Sequence, residues 1–176
     1  RQDILLDCFI KLRQQHPKEL ADWQLIFAGQ VEDKAFFEHL KIKAKGLPVK
    51  FLTDLNRQEL IKLFNQAKIL WHAAGYGIDE NQQPQKVEHL GIVTLEAMAA
   101  GCVPVVVGKG GQKEILGSNL TSLMWQDKKD CLAITQKLIT DQKLYHHYQQ
   151  QIKQRIKDFS SQKFYTAIDE MFFTKS

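Results

Sequence analysis

Residues 88–111 read EHLGIVTLEAMAAGCVPVVVGKGG, and this stretch decides the fold. Residues 92–100 have the small and apolar side chains of a buried helix, and Gly101 ends that helix. Val103–Val107 is then a continuous apolar strand, a form typical of a parallel sheet that is covered on both faces. A turn formed by Gly110 and Gly111 follows. The stretch therefore predicts consecutive elements of an α/β domain.

The same alternation of strands and helices continues through the rest of the chain. Apolar runs bounded by glycine, proline or charged residues predict strands near residues 23–28, 49–52, 68–72 and 122–125. Amphipathic spacing predicts helices near residues 3–15, 33–45, 56–64 and 112–116, two more within 130–159, and a last one near 165–173. Residues 75–87 are polar and rich in turn-forming residues, which predicts a long loop. The predicted fold class is α/β, a doubly wound parallel sheet with helices on both faces.

The composition is that of a folded globular protein. Its 176 residues suffice for one well-buried domain, so we expect a single domain over residues 1–176. The sequence has no apolar run of transmembrane length and no signal-peptide pattern, which predicts a cytoplasmic protein. Cys8, Cys102 and Cys131 are widely spaced in apolar surroundings, and we expect them to be reduced and buried.

The charge of the chain is mildly basic. A net charge of +4, from 24 basic and 20 acidic residues, suits an anionic small ligand or an acidic membrane surface nearby. Without clustered arginines and interleaved aromatic residues it gives little support for binding to nucleic acid. We therefore predict a small-molecule ligand and no nucleic-acid partner.

Two glutamates flank Gly91 at the start of the predicted helix. A helix N-terminus offers unpaired N–H groups and the positive end of a dipole, so the backbone of residues 91–93 can bind an anion such as a diphosphate. Glu96 lies about one turn into the helix, within reach of a sugar hydroxyl, and Glu88 lies where α/β folds bind ligands. Taken alone, either glutamate is more often a solvated surface residue. Their occurrence in one run with the apolar strand and the glycine turn favours a site.

This run resembles the core of glycosyltransferase family 4, the group 1 retaining glycosyltransferases. That family has two glutamates separated by seven residues, then A-M-A-x-G-x-P-V-V and a G-G-x-x-E turn. The corresponding parts of this chain are Glu88 and Glu96, residues 97–106 and residues 110–114. Residues 48–74, PVKFLTDLNRQELIKLFNQAKILWHAA, are similar to the strand, loop and helix that precede the first glutamate in the family. The resemblance covers most of the chain.

The resemblance implies the nucleotide-sugar-binding, C-terminal half of a two-domain GT-B enzyme with a Rossmann-like fold. It implies that Glu88 is the catalytic residue in contact with the donor sugar and that Glu96 binds the ribose. The other donor-binding residues it implies are Leu90, Gly91, Ile92, Val93, Gly110, Gly111 and, near the base, Thr53. The implied enzyme is a hexosyltransferase that moves a sugar from a UDP- or GDP-sugar to a glycan, lipid or other acceptor with retention of configuration.

The sequence contains no Asp-x-Asp pair that would hold a metal-bound diphosphate, so we expect no metal and no cofactor. Helix and glycine-turn amides, with basic side chains such as Lys109 and Lys113, would instead stabilise the leaving diphosphate. We interpret His72 and His89 as structural. The EHLG form resembles the branch that builds lipid-linked and cell-surface sugar chains, which leaves a peripheral contact with the cytoplasmic membrane face open.

The family also has elements that precede the first helix: a strand ending in G-R, central in the sheet, and a lysine. The chain begins at Arg1, so we expect that place to be filled by upstream residues or a neighbouring chain, or the sheet to be rearranged. We expect the C-terminal helix, within residues 160–176, to pack on an N-terminal domain. Without that domain we expect weak donor binding and no transfer. The alternatives are a nucleotide-sugar epimerase or phosphorylase of the same fold and a non-catalytic nucleotide-binding module.

Overall fold

A computed structural model of the chain describes residues 1–173, and side chains as far as residue 171. Helices and strands alternate along it, as the sequence predicts. The helices are α1 (Gln2–Gln15), α2 (Lys34–Lys43), α3 (Arg57–Gln66), α4 (Ile92–Ala99), α5 (Gly111–Leu116), α6 (Lys128–Thr140), α7 (Gln142–Arg155) and α8 (Ser161–Phe173). The strands are β1 (Leu25–Ala28), β2 (Val49–Leu52), β3 (Ile69–His72), β4 (Val103–Val107) and β5 (Met124–Trp125).

All five strands run parallel, but they form two separate sheets. β1 pairs with β2, and β4 lies between β3 and β5. Within residues 1–173 no strand pairing joins β1 to β3. Helices flank both sheets, which confirms the predicted α/β class with parallel strands. The break between the two sheets lies between β1, which follows α1, and β3, which follows α3.

Local sequence signals explain where most helices begin. Asn56 forms a capping box with Glu59 at the start of α3, in which each side chain accepts a backbone N–H of the other residue. Asp33, Asp127 and Asp141 cap α2, α6 and α7 more simply, each through a side-chain oxygen that accepts a backbone N–H of the first turn.

Two regions differ from the prediction. The strand predicted over 122–125 is reduced to the two residues of β5, because Ser118–Leu123 forms a 3-10 turn that buries Leu120 and Leu123 instead. The predicted loop over 75–87 contains a short 3-10 turn at Pro84–Lys86, which begins at a proline that suits a first helical position.

The main core lies around β4, whose five residues are all buried. Trp125 is 0% exposed and donates its indole N–H to the Val105 carbonyl at 3.3 Å, while Trp71 is half-buried and donates to Thr135 Oγ1 at 2.9 Å. The three cysteines are buried and free, as predicted. α1 contacts β1, α2 and α6, so it packs on one sheet directly and on the helix that contacts β4 and β5 of the other.

The predicted C-terminal helix is present as α8, and residues 174–176 lie outside the described part of the chain. α8 packs on the preceding 3-10 turn, Ile156–Phe159, and leaves Phe164, Tyr165 and Met171 exposed. Its packing on another domain stays a prediction. Among residues 1–173, none of the helices combines the length and apolar character that a membrane span requires.

Candidate functional site

The glycine turn after β4 packs directly on the backbone that precedes α4. The Gly111 N–H donates to the Glu88 carbonyl at 2.8 Å. A Cβ atom at Gly110 would lie 2.3 Å from that carbonyl oxygen, and one at Gly111 would lie 2.1 Å from the His89 carbonyl oxygen. These approaches are too close for any side chain, so glycine at both positions fixes residues 88–90 against the end of β4.

Glu88 caps the start of α4 with its side chain. One carboxylate oxygen, Oε1, accepts the Gly91 N–H at 3.0 Å and the Leu90 N–H at 3.3 Å. Gly91 adopts a left-handed conformation with φ of 62°, which aims its N–H back at the carboxylate. The Gly91 amide is the main cause that holds the pKa of Glu88 below its usual value, and His72 contributes less. Glu88 is therefore ionised at neutral pH.

His72, at the end of β3, faces the same carboxylate. Its Nε2 lies 3.4 Å from Glu88 Oε2, and its side chain is 17% exposed. Burial lowers the pKa of His72, although the Glu88 charge acts in the opposite direction. Nδ1 of the ring is buried and has no hydrogen-bond partner among the described residues. The sequence interpretation of His72 as structural thus missed its contact with a site residue; the signal was its position at a strand end.

The first turn of α4 presents two unused N–H groups. The amides of Ile92 and Val93 have no hydrogen-bond partner within residues 1–173, whereas the Gly91 and Leu90 amides are taken by Glu88. The side chains of Ile92 and Val93 are 57% and 47% exposed, and Leu90 beside them is also exposed. The positive end of the helix is thus open to solvent at two of the predicted donor-binding residues.

Glu96 lies on the same helix and forms an ion pair with Arg57 Nη1. Arg57 is the first residue of α3, and the capping box at Asn56 fixes where that helix begins. The pairing partly neutralises the carboxylate that the sequence assigns to a ribose. Arg57 was not among the predicted site residues, because 39 positions separate it from Glu96 along the chain.

Thr53 follows β2, where its Oγ1 donates to Asp54 Oδ2 at 3.1 Å. It lines a cavity of about 1020 Å³, and His72 and Val93 line it as well. The cavity extends from these residues into the gap between β1 and β3 rather than over Glu88 and Glu96. Thr53 therefore shares this cavity with Val93 and His72, and among the described residues its side-chain hydrogen bond goes to Asp54 rather than to either glutamate.

The loop of residues 75–87 already binds the groups that were expected to face a diphosphate. These groups are two lysine side chains and one backbone amide. Glu80 accepts the Gly110 N–H at 3.0 Å and forms an ion pair with Lys113. These bonds, with the Lys113 hydrogen bond first, lower the pKa of Glu80. Lys109 Nζ donates to the carbonyls of Gly75 and Ile78. In this arrangement, Lys109, Lys113 and Gly110 hold the loop.

The predicted residues 88, 90–93, 110 and 111 thus form one cluster, and Glu96 lies one turn further along α4. The sequence profile of the family described as "Glycosyl transferases group 1" matches residues 1–155, which include every residue of this cluster. No curated protein matches the chain. Because the matched region covers most of the sequence, the chain belongs to the group 1 glycosyltransferases.

Proposed function

We propose that this chain is the donor-binding domain of a retaining glycosyltransferase of family 4 and GT-B type. Its ligand is a UDP- or GDP-sugar, held at the start of α4. The observation that carries the proposal is the open pair of N–H groups at Ile92 and Val93, flanked by two glutamates. Unpaired amides at the positive end of a helix bind phosphate groups.

The diphosphate of the donor binds the Ile92 and Val93 amides. Glu96 lies four residues after Ile92, on the same side of the helix, so its carboxylate can accept hydroxyl groups of a ribose attached to that diphosphate. Arg57, paired with Glu96, adds a positive charge at the edge of the same site. Thr53 and Val93 both line the cavity, and Thr53 contacts the base there.

Glu88 accepts a hydroxyl of the donor sugar. Its Oε1 is already used by two backbone amides, so Oε2, beside His72, is the atom available to the sugar. An ionised carboxylate only accepts hydrogen bonds, which makes Glu88 suited to orient a hydroxyl group. Retention of configuration is proposed from the family resemblance.

The charge of the leaving diphosphate is met without a metal or other cofactor. The α4 amides supply a fixed positive field, which is most effective when it is arranged before the reaction. Lys113 and the Gly110 amide join it when Glu80 moves away, because Glu80 now occupies both. The Gly111 amide stays bound to Glu88 and serves to hold the site together.

The acceptor, a glycan or a lipid-linked sugar, binds on the side provided by an N-terminal domain. We propose that this domain packs on α8 and closes the cleft, with the enzyme in the cytoplasm and in peripheral contact with the membrane. The exposed aromatic residues Phe164 and Tyr165 of α8 support a partner surface there. Residues 1–176 by themselves then bind the donor weakly and transfer no sugar.

The donor assignment is tested by calorimetry of the chain with UDP, GDP, ADP and their sugar derivatives. We expect binding to UDP or GDP compounds, and a loss of about ten-fold or more in affinity for Glu96→Gln, since a hydrogen bond to a charged group contributes about 1.5–3 kcal/mol. Glu38→Gln is the matched control, because Glu38 is an exposed residue of α2 that pairs with Lys41. Its affinity should equal that of the wild type.

Four outcomes would contradict this proposal. Absence of binding to every nucleotide would favour a non-catalytic role, and equal affinity of the two variants would remove Glu96 from the site. Sugar transfer by residues 1–176 alone would contradict the need for a second domain. With a two-domain protein, an epimerised or phosphorolysed donor as product would instead favour the epimerase or phosphorylase alternative.

A further inference from the structure

The two carboxylate oxygens of Glu88 have different surroundings. Oε1 accepts the N–H groups of Gly91 at 3.0 Å and of Leu90 at 3.3 Å. An ionised carboxylate offers about four acceptor positions, two on each oxygen. The two amides therefore fill the positions of Oε1, and any further donor must meet Oε2.

The fold brings the His72 ring to Oε2. Side chains alternate along a strand, so His72 points to the same face of the sheet as Leu70. Leu70 packs in the cluster that holds Ala97 of α4, which identifies this face as the one that α4 covers. Because α4 connects the parallel strands β3 and β4, it begins beside the carboxyl end of β3, where His72 lies.

The ring and the carboxylate are close enough to interact directly. Nε2 of His72 lies 3.4 Å from Glu88 Oε2, and in the described part of the chain Oε2 has no other hydrogen bond or ion pair. This distance is somewhat longer than the usual 2.7–3.2 Å or so of a hydrogen bond. Contacts of this kind in active sites commonly shorten when the substrate binds.

The burial of the ring decides which nitrogen carries the proton. A carboxylate only accepts hydrogen bonds, so Nε2 must carry a proton to interact favourably with Oε2. Nδ1 is buried and has no partner within residues 1–173. A proton on Nδ1 would leave a buried N–H without an acceptor and would give the ring a charge, and both are costly. The geometry therefore favours a neutral ring with its proton on Nε2.

The charges around the ring agree with a neutral state. Burial is the largest effect and lowers the pKa of His72, whereas the Glu88 carboxylate acts to raise it. The amino-terminal ammonium group is the other charged group that acts on the ring in the described chain, and it lowers the pKa. The net result is a pKa below the usual value for histidine, so the ring is mostly neutral at neutral pH.

We propose that His72 is a positioning residue for Glu88, whose Nε2–H binds Oε2, fixes the plane of the carboxylate and leaves one acceptor position for a hydroxyl of the donor sugar. Three of the four acceptor positions are then filled by the protein itself. Without His72, Oε2 could accept two hydroxyl groups, or water, in its place. The part that concerns the sugar rests on the proposed function, whereas the contact between the two side chains does not.

The contact is tested first without any nucleotide. Nitrogen-15 NMR of the imidazole identifies the nitrogen that carries the proton, and a pH titration gives the pKa of His72. Both are measured in the wild type, in Glu88→Gln and in the control Glu38→Gln, whose side chain is exposed on α2.

We expect the wild-type ring to carry its proton on Nε2 at neutral pH. Glu88→Gln should lower the pKa of His72, because it removes the negative charge that favours the protonated ring, and the control should leave that pKa unchanged. A neutral ring with its proton on Nδ1 would overturn the proposal. The same pKa of His72 in all three proteins would overturn it as well.

The role toward the sugar is tested with two amide side chains that differ in reach. Glutamine places an N–H group near the position of Nε2 of a histidine, whereas asparagine places one nearer the position of Nδ1. Calorimetry compares UDP with UDP-glucose, and GDP with GDP-mannose, for the wild type, His72→Gln and His72→Asn. The control is His39→Asn, at an exposed position of α2.

We expect His72→Asn to weaken binding of the nucleotide sugar about three- to ten-fold more than binding of the nucleotide alone, the contribution of one hydrogen bond. His72→Gln should lose less, because it keeps a donor near Oε2, and the control should lose nothing. Equal losses for nucleotide and nucleotide sugar would overturn the positioning role, as would equal losses in the two His72 variants.

Two further outcomes are separated by the design. If a His72 variant does not fold, the NMR measurements still decide the contact, because they leave the ring in place. If the wild type binds none of the four nucleotides, the proposed function fails and the role toward the sugar fails with it. The NMR result then stands for the contact alone.

Discussion

The two sheets differ in how completely their strands are covered. All five residues of β4 are buried, whereas none of the eight residues of β1 and β2 is. The candidate site belongs to the well-covered part, because α4, the glycine turn and His72 all adjoin β3 and β4. The β1–β2 part relies on α1, α2 and stacked rings such as Phe27 and Phe51, whose centres lie 5.5 Å apart. The helix and the glycine turn that form the site thus precede and follow the most completely buried strand of the described chain.

The largest expected effect tests this difference in packing directly. Trp125→Ala removes a fully buried ring beside β4 and should lower the free energy of unfolding by about 3–5 kcal/mol. Phe51→Ala removes a half-buried ring from β2 and should cost about half as much. Urea denaturation of both variants measures the two values. Equal costs would mean that the two sheets contribute alike to stability.

A second comparison concerns the stability cost of adding a methyl group to a glycine next to each of the two sheets. Gly111→Ala places a methyl group against the His89 carbonyl and should cost about 1–3 kcal/mol. At Gly46, after α2, an added Cβ would have no atom within 4 Å, but the backbone φ is 78°. Gly46→Ala should therefore cost only the penalty of about 1 kcal/mol for an alanine in the left-handed conformation. Thermal unfolding compares them. A smaller loss for Gly111→Ala than for Gly46→Ala would show that residues 88–90 can move aside.

The smallest effect concerns Asp7, which links the two parts. This α1 carboxylate pairs with Lys43 of α2 and, at 2.9 Å, with Lys128 of α6. Partial burial acts to raise the pKa of Asp7, but the hydrogen bonds from the two lysines outweigh it and leave the pKa below its usual value. The stabilisation is therefore present above the unfolded pKa of about 4 and is lost as pH falls through the lower folded value.

Asp7→Asn should accordingly lower the free energy of unfolding at pH 7 by at most about 1 kcal/mol, since the pair is partly exposed and screened by solvent. The wild type and the variant should converge as pH falls toward about 2. Denaturation at several pH values measures this, with Glu38→Gln as a control that stays within α2. A difference that persists unchanged in acid would point to packing rather than charge.

Local patterns in the sequence were enough to predict most helices and strands. Apolar periodicity and a capping residue act over a few neighbours, which is why α3 begins after Asn56 and β4 covers Val103–Val107 as predicted. The prediction was less accurate at β5, because a short apolar run does not distinguish a strand from a 3-10 turn with buried leucines.

The pairings within the site could not be read from the sequence in the same way. Glu96 meets Arg57, 39 positions away, and Lys113 meets Glu80, 33 positions away. Such contacts depend on how the helices and the loop are placed by tertiary packing, and no local spacing encodes them. The sequence did identify Gly110 and Gly111, but the reason for them, the backbone of residues 88–90, is visible only in three dimensions.

The position of α1 has a consequence for the order in which the chain folds during synthesis. Asp7 and its partner Lys128 are 121 residues apart, so the second contact surface of α1 does not exist until α6 has left the ribosome. Until then the apolar residues Leu5, Phe9 and Leu12 have only part of their final surroundings. α1 is thus made well before α6 and is fully packed only after α6 has been made, which leaves its apolar face incompletely covered in the nascent chain for that interval.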